Sequence, residues 1–260
     1  MRKKLLKKLK TLGFASLSTV LFFVLWYAAS ATGLLNRGII PDPISVLQRL
    51  FVNLFTTDLF RIHIALTIQR AFLGFLLALV VGVGAGFMLG GILKEIKPCV
   101  LPILHFLEKM NPLALFPVFM LFWGIGEVSK MLIIFWVAVW PILFHTLEGL
   151  QNVEPVLPKS ARAMGAGKGV TFRKVLIPAA SPDIFAGIRL GIQISFIFVI
   201  SVEMLSSSAG LGWFIKNARN QYNLPDVYSS VLLVAIIGIV LGKILEIIEK
   251  KAFAWKESAL

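Results

Sequence analysis

Apolar residues gather in six long stretches, 12–35, 64–92, 98–123, 129–148, 184–206 and 227–249, separated by shorter polar segments. Each is near the ~20 residues a helix needs to cross a bilayer. Six spans put both termini on one side of the membrane. The pattern therefore predicts an all-α, polytopic membrane protein with a single transmembrane domain over residues 1–260. Between the first two spans, Pro41-Asp42-Pro43 favours extended backbone. Val46, Leu47, Leu50, Phe51, Leu54 and Phe55 then follow at the spacing of an amphipathic helix lying on the outer surface.

Composition agrees with that class. Hydrophobic residues make up 58% of the chain, charged residues 15%, and the mean hydropathy is +0.87. A soluble domain usually has a charged share of about 25%. The Lys-rich start, the first apolar run and Ala29-Ser30-Ala31 resemble a signal peptide. That run is longer than the ~7–15 apolar residues of such a peptide, so an uncleaved first helix is expected.

Charge sets the orientation. Residues 1–11, 93–97, 149–183 and the tail after 249 hold six, two, five and three Lys or Arg. The alternating loops 36–62, 124–130 and 207–226 hold six in all. That asymmetry places the N-terminus, the 149–183 loop and the C-terminus in the cytoplasm. The net charge of +13 is then accounted for by basic residues facing anionic lipid, and no nucleic acid is implied.

The polar insert from Val153 to Asp183 carries five Lys or Arg and seven Gly or Pro, and such a segment must sit in water. Its Gly165-Ala166-Gly167-Lys168-Gly169 lacks the spacing of a phosphate loop: Arg162 stands where a glycine is needed and Gly169 where Ser or Thr is needed. His145 and Glu148 have no third ligand nearby in sequence, and the single Cys99 supports neither a disulfide nor a zinc site. No catalytic constellation appears, so no enzyme activity, cofactor or metal is expected.

Ionisable and polar groups at membrane depth are rare and mark functional positions by default. They are Gln69 and Arg70, then His105, Glu108, Lys109 and Asn111, then Arg189, Gln193 and Glu203. Of these, His105, Glu108, Lys109, Asn111 and Glu203 are candidates to line a permeation pathway. Glu108 with Lys109, as a structural ion pair, and Arg70 or Arg189, as side chains reaching an interface, are the structural alternatives. Pro98, Pro102, Pro112 and Pro117 predict a kinked third span beside a pore. Gly82, Gly84, Gly86, Gly90, Gly91, Gly187 and Gly191 are expected to be helix-packing positions.

Lys159-Ser160-Ala161, then Gly165, then Val175-Leu176-Ile177-Pro178 resembles the EAA loop of the permease subunits of binding-protein-dependent ABC importers. Lys159 stands in place of Glu, Ser160 of Ala and Ile177 of Leu. Three further segments resemble the sulfonate, taurine and nitrate branch of that family, which also includes importers of hydroxymethylpyrimidine and riboflavin. They are Pro41-Asp42-Pro43; Pro112 to Pro117 with Phe122-Trp123-Gly124-Ile125-Gly126-Glu127; and Val202-Glu203-Met204-Leu205 with Gly210-Leu211-Gly212.

The resemblance implies a type I ABC importer permease in the inner membrane. It implies a second copy of the chain, two ATPase subunits that hydrolyse ATP, and an extracytoplasmic substrate-binding protein. It makes Lys159, Ser160, Ala161, Arg162, Gly165, Ala166, Ile177 and Pro178 the ATPase-coupling residues. By physical reasoning, Gly165 turns the chain at positive φ, and Ala161 and Ala163 let the helix seat closely in a groove. The expected solute is a sulfonate-, taurine- or nitrate-like anion or a vitamin precursor. A secondary transporter is the alternative, but it would show inverted repeats that this chain lacks. Lys109 beside Glu108 leaves the sign of the solute's charge open.

Overall fold

The computed structural model describes residues 21, 24–30, 32 and 40–253, and the regular structure among them is helical. Of the first expected span, residues 21 and 24–30 are helical, residue 32 lies in a turn, and the rest lies outside the described residues. The chain divides into two compact units, one of residues up to Arg61 with Phe214–Val234, the other of Ile62–Trp213 with Ala235–Leu260.

In the first unit, α1 (Pro43–Thr56) begins where Asp42 caps it, its carboxylate accepting from the Ser45 N–H at 3.0 Å, with Pro43 at the first helical position. Its apolar stripe is divided. Val46 and Leu50 are buried, whereas Leu47, Phe51 and Phe55 are exposed, as suits a helix with one face on protein and another open to lipid. Arg49 forms a two-pronged ion pair with Asp226, whose carboxylate also accepts from Asn53 and Asn223. That hydrogen bonding raises the Arg49 pKa above its ordinary value.

The second unit is built on α5 (Glu127–Gln151). Facing it are α2 (Asp58–Phe87), which ends in a π turn at Met88–Ile92, and α8 (Ile177–Ser206). Along α2, small residues recur every fourth position at Gly74, Ala78, Gly82, Gly86 and Gly90. A Cβ on Gly74, Gly82, Gly86 or Gly90 would come within 2.6–2.9 Å of Ile134, Ile142, Thr146 or Leu150 of α5, while Ala78 and Ala138 are wholly buried. The fourfold spacing keeps those positions on one helix face, so the backbones approach closely along its length. Gly187 and Gly191 of α8 meet His145 and Ile142 in the same way, and Gly91 meets Phe172. Gly84 has no neighbour within 4 Å, so it is not a packing position within the subunit.

Two expected spans change form. The third is not one helix but α3 (Lys97–Glu108) and α4 (Pro112–Trp123), bent by 94° across a three-residue break. Pro112 has no N–H to continue the ladder and disfavours helical backbone at Asn111, whose ψ is 117° and whose side chain caps α4 instead. The fifth begins well inside the polar insert: α7 (Lys168–Thr171), a π turn at Phe172–Leu176 and α8 form one continuous 39-residue helix. Its π turn precedes Pro178, which cannot donate. The Ile177 N–H reaches back five residues to the Phe172 carbonyl, so the extra residue absorbs the disruption that a proline brings to a helix. The remaining elements are α6 (Val156–Ala163), α9 (Leu211–Asn220) and α10 (Leu224–Ala252). Four helices, or five spans if the bent pair is one, are long and apolar enough to cross a membrane among the described residues.

Candidate functional site

Three places collect the polar chemistry of the second unit. The first is a charge network, buried except at Glu127, whose side chain is 51% exposed. Arg70 on α2 donates to Glu127 at the start of α5 and, at 2.7 Å each, to Glu203 on α8 and the Ala209 carbonyl. Glu203 is 0% exposed. Thr67 Oγ1 lies 3.0 and 2.9 Å from its two oxygens, and the Gly212 N–H donates to it at 2.9 Å. Lys130 completes the set, donating to Glu127 at 2.9 Å and to Ser207 at 3.2 Å.

Two cations and two anions leave the cluster neutral, and nearly every lone pair is satisfied, the condition under which buried charge is tolerated. The loop after α8 is shaped to this carboxylate. Gly210, at φ +112°, has no room for a Cβ because one would collide with Glu203, and a Cβ on Gly212 would collide with the Ile200 carbonyl. The Gly210 N–H donates to His63 Nδ1 at 3.1 Å, which requires that nitrogen to be unprotonated. Glu203, expected along a pathway, is therefore a wholly enclosed tie joining α2, α8 and the 207–212 loop.

The second place is the break between α3 and α4. Glu108, the last residue of α3, lines a cavity of about 290 Å3 with Pro112, Trp136, Trp140, Ile194 and Phe198. His105 stacks flat on Phe144, ring centres 4.4 Å apart, and its Nδ1 lies 3.4 Å from the Glu108 carboxylate. Lys109 also lies 3.4 Å from Glu108, but its side chain is 76% exposed and does not line the cavity. Asn111 is an exposed cap rather than a lining group. The break thus brings Glu108 into a cavity, with Lys109 ion-paired to its carboxylate from the open side and Asn111 capping α4.

The third place is the polar insert. The amphipathic helix α6 ends at Met164, and Gly165, at φ +85°, reverses the chain. Gly165 N–H bonds the Arg162 carbonyl at 2.9 Å and Ala166 N–H bonds the Ala161 carbonyl at 3.0 Å, the paired bonds of a Schellman cap that a glycine makes without strain. Lys159, Ser160, Arg162, Ala163, Met164 and Val170 are exposed, with Val156 and Leu157 beside them. Ala161 is buried within the subunit, so its small size serves internal packing. Ala166 and Ile177 are half-buried and Pro178 is exposed.

The family described as the binding-protein-dependent transport system inner membrane component matches residues 78–251, from the middle of α2 to the end of α10. The chain belongs to this family of ABC importer permeases. It is 30% identical to the aliphatic sulfonates transport permease SsuC of Bacillus subtilis (strain 168) over 237 residues, covering 90% of this chain and 84% of the relative. It is 31% identical to the nitrate import permease NrtB of Synechocystis sp. over 218 residues, covering 81% and 79%. Its fold matches the MetNI methionine ABC transporter in inward-facing form, with a TM-score of 0.64 at 19% identity, covering 72% of this chain and 92% of that one.

Two charged residues of the permease network were not among the candidates read from the sequence, Glu127 and Lys130. Both belong to a turn after the third span that looked like a loop end. The available signal was the Gly124-Ile125-Gly126-Glu127 segment itself, whose Gly124 carbonyl accepts from Ser129 and sets the first turn of α5. Among the described residues no three His, Cys, Asp or Glu side chains come together.

Proposed function

We propose that this permease, paired with a second copy of itself, forms the pathway along which a small solute from an extracytoplasmic binding protein crosses the membrane. In this reading α6 and the turn at Gly165 are the docking element for a separate ATPase subunit, which alone hydrolyses ATP. The N- and C-termini and the 149–183 segment lie in the cytoplasm, and the apolar helix faces lie against lipid. The names of the relatives make sulfonates and nitrate the first solutes to test.

One observation carries the docking assignment. A short helix and its closing turn present Val156, Leu157 and Met164 to water, Met164 at 81% exposure, beside the cations Lys159 and Arg162. An exposed apolar patch rimmed by charge is the mark of a surface covered by a partner. Lys159, a cation where the family has an acid, calls for a partner groove that is acidic at that contact.

The test is reconstitution with the cognate ATPase and binding protein, comparing the parent with Gly165→Arg. The substitution forces positive φ on a residue with a Cβ and adds a bulky cation to the turn, though it meets no atom of the subunit within 4 Å. The variant is expected to fold, and to lose binding-protein-stimulated hydrolysis. An unchanged variant, or an ATPase that fails to copurify, would remove the docking role.

A further inference from the structure

We propose that the turn at residues 220–222, between α9 and α10, is a contact for the extracytoplasmic binding protein, and that the surface it meets there is acidic. This rests on the permease reading and names a docking point on its outer side. A binding-protein-dependent permease must present some surface to that protein on the side away from its ATPase. Two features of the turn mark it as that surface. The first is a tyrosine whose backbone and side chain are both at odds with a structural role. The Tyr222 N–H bonds the Arg219 carbonyl at 3.0 Å and the Asn223 N–H bonds the Ala218 carbonyl at 2.9 Å, the same Schellman cap that closes α6. At α6 the left-handed position is held by Gly165; here it is held by Tyr222, at φ 56°. Among the described residues no other non-glycine has a positive φ. A Cβ makes that backbone unfavourable, and at 88% exposure the ring buries almost nothing within the subunit in return. Glycine would close the helix better, so what the tyrosine contributes lies outside the subunit.

The second feature is charge. Residues 211–224 hold Lys216 and Arg219 and no acidic residue. Asp226, just beyond them, is buried and taken up by Arg49, Asn53 and Asn223. Arg219, Asn220 and Gln221 are exposed beside the tyrosine. Tyr and Arg are enriched among the side chains that carry binding energy at protein interfaces, and a cationic patch selects a partner that brings carboxylates. Lipid headgroups are the competing occupant. α10, which begins just after the turn, has 29 residues and so runs about 43 Å, against a hydrocarbon core of about 30 Å. With Lys250 and Lys251 holding its other end at the cytoplasmic surface, the excess length carries the turn clear of the hydrocarbon.

The complex reconstituted in nanodiscs with its ATPase gives the test, with hydrolysis measured against the concentration of binding protein. Tyr222→Gly is expected to raise the thermal midpoint by about 2–4 °C, by relieving the left-handed backbone, yet to raise the half-maximal binding-protein concentration about tenfold. Arg219→Gln is expected to raise that concentration severalfold, and added salt to raise it for the parent. The maximal rate at saturating binding protein is expected to stay near the parent's. A lower midpoint in Tyr222→Gly would show the ring to be structural and overturn the proposal. Shifts seen in phosphatidylglycerol nanodiscs but not in phosphatidylcholine would also overturn it, by making the turn a lipid contact. A parent that is not stimulated at all would overturn the permease reading and the proposal with it, whereas stimulation that both variants retain at the parent's concentration overturns the proposal alone.

Discussion

Glu203 and Glu108 are both carboxylates inside apolar spans, and nothing in their immediate sequence separates them. Their surroundings do: Glu203 is enclosed by Thr67, Arg70 and the Gly212 N–H, while Glu108 ends a helix at a break. Arg70 bonds both Glu127 and Glu203, so Arg70→Met leaves two carboxylates short of a partner. It is expected to lower stability by about 3–5 kcal/mol, more than Glu203→Gln, which removes one charge and keeps an acceptor for Gly212. Thermal unfolding of the detergent-purified variants checks the order. Gly210→Ala places a Cβ against Glu203 at a positive φ and is expected to cost at least about 2 kcal/mol. Gly126→Ala, in open, extended backbone, is expected to be near neutral in the same assay.

At the scale of the element, composition alone gave the wrong role to one glycine and the right role to several. Gly82 and Gly84 are two residues apart on α2, so they point to different faces of the helix. A Cβ on Gly82 meets Ile142 of α5 at 2.9 Å, whereas one on Gly84 meets nothing. Gly82→Ala is therefore expected to lower the midpoint of thermal unfolding by overpacking, at about 1–3 kcal/mol. Gly84→Ala is expected to leave it unchanged or raise it, since alanine is favoured over glycine in a helix interior by about 1 kcal/mol. Equal effects would mean that the fourfold stripe is not the α2–α5 contact. The existence of the helices was legible from apolar run lengths. The 94° break was legible only as a kink, because prolines mark where a ladder fails but not how far the chain then turns.

For the whole molecule, the charge bias of the loops predicts a membrane orientation that one labelling experiment checks. In a Cys99→Ser background, Tyr222→Cys, at a residue 88% exposed, is expected to react with an impermeant maleimide from the outer face of intact cells. Lys159→Cys is expected to react only after permeabilisation. Reaction of both, or the reverse pattern, would overturn the assignment of the 149–183 segment to the cytoplasm and with it the docking role of α6. Family membership was legible from the spacing of Gly165 and Ile177-Pro178, because a Schellman turn and a proline-linked π turn are local structures. Each depends on a few residues close in sequence.

The sequence by itself determined the class, the number of apolar runs, the charge bias and the turn at Gly165. Hydrophobic transfer, helix length and left-handed backbone are properties of short segments and do not wait for folding. The tertiary structure decided that Glu203 is an enclosed tie and that Glu108 faces a cavity while Lys109 pairs with it from the open side. Adjacent residues share a sequence neighbourhood but point in different directions. Only the packing of α5 and α8 against the break sets which of the two lines the cavity.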